Sequence, residues 1–491
     1  MAEALRAVAL GAGRGSRRVR DGPAVARRHL LPRHAARRRR RRDRGLRLQL
    51  ADRRPRPALE RGPDRRDAHL SSRAALHRPL TAVEIAGHAC ACRARPARQA
   101  SVALPTRSSK VLQSDIKPIA ERLGADDRFT GRGVTIAFLD AGFYAHPDLV
   151  KPKNRVKVFH DVLSREPMPH KLGDPEVSSW HGMMTAVVAC GNGEKSGGRY
   201  KGLAHESELV LVKVGSVSRV RHDDLTLGID WVCQNRAKYG IRVLNISAGG
   251  DYEASYLWDS LSRAAEAAVR QGIVVVCAAG NAGNNPLKHA PVPPASAPAV
   301  ITVGGMDDHH GPSIDKIVPY HSSYGPTLDG LLKPEIIAPA IRVAAPILPG
   351  SVTAKQAALI AELVAADDHE LTTIIEEHTG VDPELDAAKH LQPYQIRHLI
   401  ASKRGAQQLV SKHYKEVDGT SFAAPIVSSV VAQMLEARPD LSPQAVKQIL
   451  VHTAKRMPHV HFERQGWGIV QPKAAVARAL EWPVQDPNIP W

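Results

Sequence analysis

The sequence predicts an α/β protein: a mainly parallel sheet covered by helices on both faces, with a helical insertion late in the chain and an Arg-rich segment ahead of the fold. Three observations carry this prediction. Five short runs are continuously apolar and rich in β-branched residues, as strands buried on both faces must be. Stretches with helical spacing separate those runs, and strands joined through helices lie parallel. The composition also changes sharply near Lys110, which divides the 491 residues into an N-terminal segment, 1–109, and a body, 110–491.

The N-terminal segment holds 28 Arg, no Lys and 8 acidic residues, a formal charge of +20. The body, with 40 basic and 41 acidic residues, carries −1, so the chain's net +19 belongs wholly to the tail. The body therefore offers no electrostatic ground for binding nucleic acid or an anionic membrane. Within the tail, the charge density and Pro content predict disorder. Arg without Lys over so long a stretch is also what a GC-rich reading frame yields when translated from the wrong start or phase. A phosphate-gripping tail is the alternative function, but runs of like charge are more often simply solvated. Nucleic acid is not an expected partner.

The body opens with GVTIAFLDAG (Gly133–Gly142), an apolar strand that runs into a loop at Asp140. HGMMTAVVAC follows as a helix. SELVLVKVGS (Ser207–Ser216) and IRVLNISAGG (Ile241–Gly250) are strands on either side of the helical LTLGIDWVCQNRAKYG. YLWDSLSRAAEAAVRQG is the next helix, before the strands GIVVVCAAGNAG (Gly272–Gly283) and AVITVGGMDD (Ala299–Asp308). Residues 351–412 are Ala-rich and charged with helical spacing, and read as an inserted surface appendage. SPQAVKQILVHTAKRM, the turn GWGIVQP and the helix PKAAVARAL close the chain.

No run approaches the 18 apolar residues of a membrane span, and no secretory signal is legible. Cys90 and Cys92 form a C-x-C pair with no second pair to complete a zinc site; Cys277 sits in an apolar strand as a core thiol. Asp307, Asp308, His309 and His310 are read as a solvated loop rather than metal ligands, and GNGEKSGGRYKG lacks the G-K-[ST] of a phosphate loop. Asn245–Ser247 matches a glycosylation pattern but falls in a strand expected to be buried, where the match is chance. We expect no cofactor, and no metal site is legible, with a structural calcium ion left open.

In parallel sheets, function gathers at the carboxyl ends of strands, and Asp140, Ser247–Gly250 and Asn281 all stand there. GTSFAAPIVSSVVAQML, from Gly419, joins a turn to an almost wholly apolar helix. Thr420 and Ser421 read first as helix caps, with Pro425 in or near the first turn. Helix-end amides also suit an anion, and hence a serine that attacks a carbonyl. His181 begins a helix, where an imidazolium is disfavoured, so a base there needs a carboxylate such as Asp140. Asp140, His181 and Ser421 then form a candidate catalytic set.

Five signatures stand in order: DAGFYAHPDL, HGMMTA, NISAGG, AAGNAG and GTSFAAP, with PASAPAVITVGG and KPEIIAPA between them. From Arg132 to Leu480 the body resembles the subtilisin-like serine peptidases, the subtilases of peptidase family S8. The resemblance implies a doubly wound sheet and serine endopeptidase chemistry on protein or peptide substrates, with Asp140, His181 and Ser421 as the triad; the alternative is a subtilase fold, catalytically weak or inactive, that binds peptides along its strand edge. It further implies oxyanion donors in the Asn281 amide and the Ser421 backbone N–H. Ser247, Ala248, Gly249 and Gly250 would pair with extended substrate, and Ala278, Ala279 and Gly280 would wall the specificity pocket. Three features depart from the family pattern. Ala141 replaces the usual Ser or Thr, Met183 and Met184 follow Gly182 where HGT, often HGTH, is usual, and neither a propeptide nor a calcium loop is recognisable. No oligomer interface is legible, so a monomer is expected.

Overall fold

The computed structural model describes residues 116–164, 169–216, 219–310 and 316–483. The Arg-rich segment 1–109, with Cys90 and Cys92, lies outside the described residues.

Seven parallel strands build the central sheet: β1 (Thr135–Asp140), β2 (Val156–Asp161), β3 (Glu208–Lys213), β4 (Ile241–Ile246), β5 (Val274–Ala278), β6 (Ile301–Asp307) and β7 (Ile336–Pro339). Their order is β7-β6-β5-β4-β1-β3-β2, and a two-residue strand, Val318–Pro319, adds antiparallel to β6. The five expected strands are all present. The sequence reading missed β2 and β7, which lie at the two edges. β2 is half exposed along VKVFHD, so it lacks the continuous apolar run of a central strand.

Side-chain parity explains why the central strands are apolar on both sides. Ile136, Phe138, Leu209, Leu211, Val243, Val274 and Val276 enter one core; Ala137, Leu139, Val210, Val212, Leu244, Ile246, Val275 and Cys277 enter another. α1 (Ser179–Cys190) packs on the first face, and α2 (His222–Tyr239) and α3 (Ser260–Arg270) cover the second. Cys277 is fully buried there, and desolvation pushes its thiol pKa up to about 12, as expected of an inert core thiol.

The insertion forms four helices, α4 (Val352–Ala365), α5 (Leu371–Glu377), α6 (Pro383–Ala388) and α7 (Pro393–Ala406), around its own small core of Leu359, Ile360, Leu363, Leu371, Leu385 and Ile396. It springs from a hairpin of β8 (Val343–Pro346) and β9 (Tyr414–Val417). β9 leads directly into α8 (Thr420–Ala437), and α9 (Pro443–Thr453) and α10 (Pro472–Leu480) then close the first face. Of the α8 residues from Thr420 to Leu435, Ser421 alone is not buried.

The Asp307–His310 loop differs from the solvated loop expected. Asp308 is 2% exposed and takes two hydrogen bonds from the Arg122 guanidinium, at 2.8 and 2.9 Å. The same guanidinium donates to the carbonyls of Ile341 and Arg342. Asp308 alone is drawn in, because Arg122 arrives from 186 residues away, a contact that local sequence cannot show; His309 beside it stays exposed, as expected. Among the described residues, no group of three or more His, Cys, Asp or Glu could hold a metal ion, and no helix is long and apolar enough to cross a membrane.

Candidate active site

β1 ends at the point where the sheet changes direction, with β3 on one side and β4 on the other. Such switch points open a crevice at the strand ends. Asp140, the last residue of β1, continues the parity of Ile136 and Phe138, so its carboxylate falls on the face that carries α1 and α8. His181, in the first turn of α1, meets it there. His181 Nδ1 lies 2.9 Å from Asp140 Oδ1 and 2.8 Å from Oδ2.

Two details let this pair form. Gly182 faces the end of β1, and a Cβ at that position would collide with the Gly142 carbonyl and lie 2.8 Å from both the Asp140 Cβ and the Phe143 ring. Glycine thus allows the helix to descend onto the carboxylate. The Ala141 backbone N–H also donates to Asp140 Oδ1 at 2.8 Å, giving the carboxylate a hydrogen bond that an alanine side chain cannot. Met183 and Met184 point away from the pair into the core, 0% and 5% exposed, where flexible thioethers fill the space under the sheet.

The His181 ring is held between two aromatics. The Trp180 indole meets it edge-on at 5.2 Å between centroids, and Phe422 tilts against it at 5.8 Å. Burial pulls the imidazole pKa down, but the charge of Asp140 and its hydrogen bond raise it, and the net direction is upward from 6.5. Asp140 outweighs the desolvation.

Ser421 arrives on α8, and its surroundings correct the capping expectation. The N-cap is Gly419, at φ 136°, with no side-chain cap of its own. The cap comes instead from Asn281, beyond the end of β5: its Oδ1 accepts from the Thr420 backbone N–H and from the Thr420 hydroxyl, both at 3.0 Å. Asn281 Nδ2 donates to no group among the described residues. Ser421 is the second helical residue, so its backbone N–H has no acceptor within the helix. Two free donors therefore frame the serine.

Pro425 stands one turn deeper than expected, inside the helix. Having no N–H, it leaves the Ser421 carbonyl without its usual i+4 partner. The Ser247 hydroxyl takes that place, donating to the Ser421 carbonyl at 2.9 Å. The Ser421 hydroxyl in turn donates to the Ser247 carbonyl at 3.3 Å rather than to His181. A buried amide, Asn245, braces this link: its Nδ2 donates to the Ser247 hydroxyl at 3.0 Å, and its Oδ1 accepts from Ser428 of α8 at 2.9 Å. Sequence reading saw Asn245 only as a chance glycosylation match. A lone amide inside the apolar run from Val243 to Ile246 was the available signal of a buried tie.

The remaining expected residues stand at or just beyond the carboxyl ends of β4 and β5. Ser247 is buried, Ala248 and Gly250 are half-buried, and Gly249 is exposed, so this segment presents backbone at the surface beyond β4. Gly250 N–H donates to the Pro293 carbonyl at 2.7 Å. Ala278 closes β5, Ala279 is buried with its N–H on the Val303 carbonyl, and Gly280 N–H donates to the Thr420 hydroxyl at 3.2 Å. Gly280 has φ 99°, a left-handed turn that glycine adopts without strain. The structure thus ties Asp140 to His181, and Ser421 to Ser247 directly. Thr420 connects α8 to Asn281 and Gly280, and the Phe422 ring connects it to His181.

Comparison with known proteins identifies the family. A model of the subtilase family matches residues 131–468. The chain is 32% identical over 332 residues to serine protease AprX of Bacillus subtilis, covering 65% of this chain and 61% of that protein. It is 34% identical over 208 residues to subtilisin-like protease 2 of Pseudogymnoascus destructans, covering 41% and 43%. Its fold resembles that of fervidolysin from Fervidobacterium pennivorans, a keratinolytic enzyme related to subtilisin, with a TM-score of 0.50 and 22% identity over 73% of this chain and 45% of that one. In each case the match spans less than two thirds of the relative's length. With the match of residues 131–468 reaching from just before β1 through α8 and α9, the chain belongs to the subtilase family.

Proposed function

We propose that the protein is a serine endopeptidase acting on protein or peptide substrates. The observation that carries this reading is the parity of β1, which presents the Asp140 carboxylate to His181 Nδ1 on the face where α8 delivers Ser421. His181, with its Nδ1 proton fixed by Asp140, keeps Nε2 free as a base. Rotation of the Ser421 hydroxyl away from the Ser247 carbonyl brings its proton to that base as Oγ attacks the scissile carbonyl. The Asn281 Nδ2–H and the Ser421 backbone N–H receive the developing oxyanion. His181 next protonates the leaving amine, and water then reverses the sequence through the acyl-enzyme. Ser247–Gly250 pairs with the extended substrate backbone, and Ala278–Gly280 walls the pocket for the side chain at the cut.

Incubation of the chain with a diverse peptide library, with cuts located by mass, tests the reading: internal cuts that vanish when Ser421 is replaced support it, and an uncut library refutes it. Two further outcomes follow from the site. Since the base must be neutral, activity should rise with pH as His181 deprotonates. Its pKa is raised, so the acidic limb of kcat/KM should fall above 6.5; a midpoint below the ordinary imidazole value would contradict the Asp140 pairing. Asn281→Ala should lower kcat by about 10²–10³-fold with KM little changed, the loss typical of one oxyanion donor. Thermal denaturation of the same variant should also show a cost of about 1 kcal/mol, because the Thr420 N–H loses its cap.

A further inference from the structure

A cavity of about 470 Å³ lies where the insertion meets the body, lined by Tyr144, His146 and Pro147 after β1, Lys195, the segment from Ile347 to Ala358, and Lys412 with His413 before β9. None of its lining residues is acidic. Three of them are lysines, and the ammonium groups of Lys195, Lys355 and Lys412 have no hydrogen-bond or ion-pair partner among the described residues. All three side chains are exposed, so the positive charge is gathered at the cavity's open side.

The Asp148 carboxylate, beside His146, is fully buried and already committed. It accepts from the Lys195 backbone N–H at 3.0 Å and from the Tyr414 hydroxyl. His146 is 3% exposed; its Nδ1 accepts from the Asp148 backbone N–H at 3.3 Å and lies 3.4 Å from Asp148 Oδ1, a contact without hydrogen-bond geometry. Burial, with the positive charge of Lys195 and His413 nearby, lowers the His146 pKa to about 4 despite Asp148. The ring is therefore neutral near pH 7, and with Nδ1 accepting, its proton sits on Nε2. That N–H has no partner among the described residues, yet its atom is not sealed from solvent. In a residue so deeply buried that also lines the cavity, it faces the cavity. Tyr144, Ile347, Pro349, Ala354 and Ala358 supply apolar walls.

We propose that this cavity is a binding site for a small organic anion, an oxyanion carried on a compact apolar body. The His146 Nε2–H donates to one oxygen, the three lysines balance the charge, and the apolar walls take the body. A pocket of this size with a few convergent polar groups is the usual form of a small-molecule site. The bound anion would touch both the segment that follows Asp140 and the helix α4 of the insertion.

Calorimetric titration of the full chain near pH 7 at low salt tests this, with inorganic phosphate and octanoate as separate probes. Saturable one-site binding of either supports the proposal. Phosphate alone identifies a headgroup site, and octanoate alone identifies a carboxylate site that needs the apolar walls. Lys195→Gln combined with Lys412→Gln should weaken binding by about tenfold or more. Both side chains are exposed, so the variant should fold normally. Neither probe saturating by about 10 mM, or affinity unchanged in the double variant, would overturn the site.

Discussion

Replacing Ser421 with alanine is expected to lower kcat by about 10⁶-fold while leaving KM near its original value, the scale on which serine hydrolases lose turnover without their nucleophile. The prediction is clean because the hydroxyl holds little else. Its one hydrogen bond, to the Ser247 carbonyl, is long at 3.3 Å, whereas the tie from Ser247 to the Ser421 carbonyl does not involve the side chain. Alanine is well suited to the second position of a helix, so the melting temperature should move little. A fluorophosphonate probe should label the natural chain at Ser421 and leave the variant unlabelled. Substantial turnover in Ser421→Ala, with the fold intact by circular dichroism, would remove the hydrolase assignment.

Asp140→Asn should cost about 10⁴-fold in kcat for a different reason. The carboxylate has only acceptors to offer, so the proton of a neutral His181 must sit on Nδ1, 2.8 and 2.9 Å away. An amide can turn its NH₂ toward Nδ1, which moves the proton to Nε2 and leaves no base facing Ser421. The charge that raises the His181 pKa disappears too, so the acidic limb of any residual activity should shift to lower pH. Loss of activity without that shift would show that Asp140 acts on packing alone.

The sequence made the central strands and the site's principal side chains legible because both leave local marks. A strand buried on two faces is apolar throughout, and a functional residue at its end interrupts that run, as Asp140 does after TIAFL. β2 and β7 left weaker marks: an edge strand faces solvent, and a four-residue strand gives no period to read. The capping assignment at Ser421 failed because the cap is supplied from 139 residues away by Asn281. Arg122 on Asp308 and Tyr414 on Asp148 escaped notice for the same reason. Each is a polar contact whose partner is fixed by topology rather than by spacing. Ala141 and the two methionines looked like departures in sequence. In three dimensions a backbone amide and a packing requirement account for them.

The carbonyl released by Pro425 has a mechanical consequence. Because Ser247 claims it, the ledge on which an extended chain would lie and the atom that would cut that chain share one frame of reference. On the proposed function, displacement of either would carry the other along, so a scissile bond aligned by its flanking backbone would stay in line with the nucleophile while the surrounding loops fluctuate.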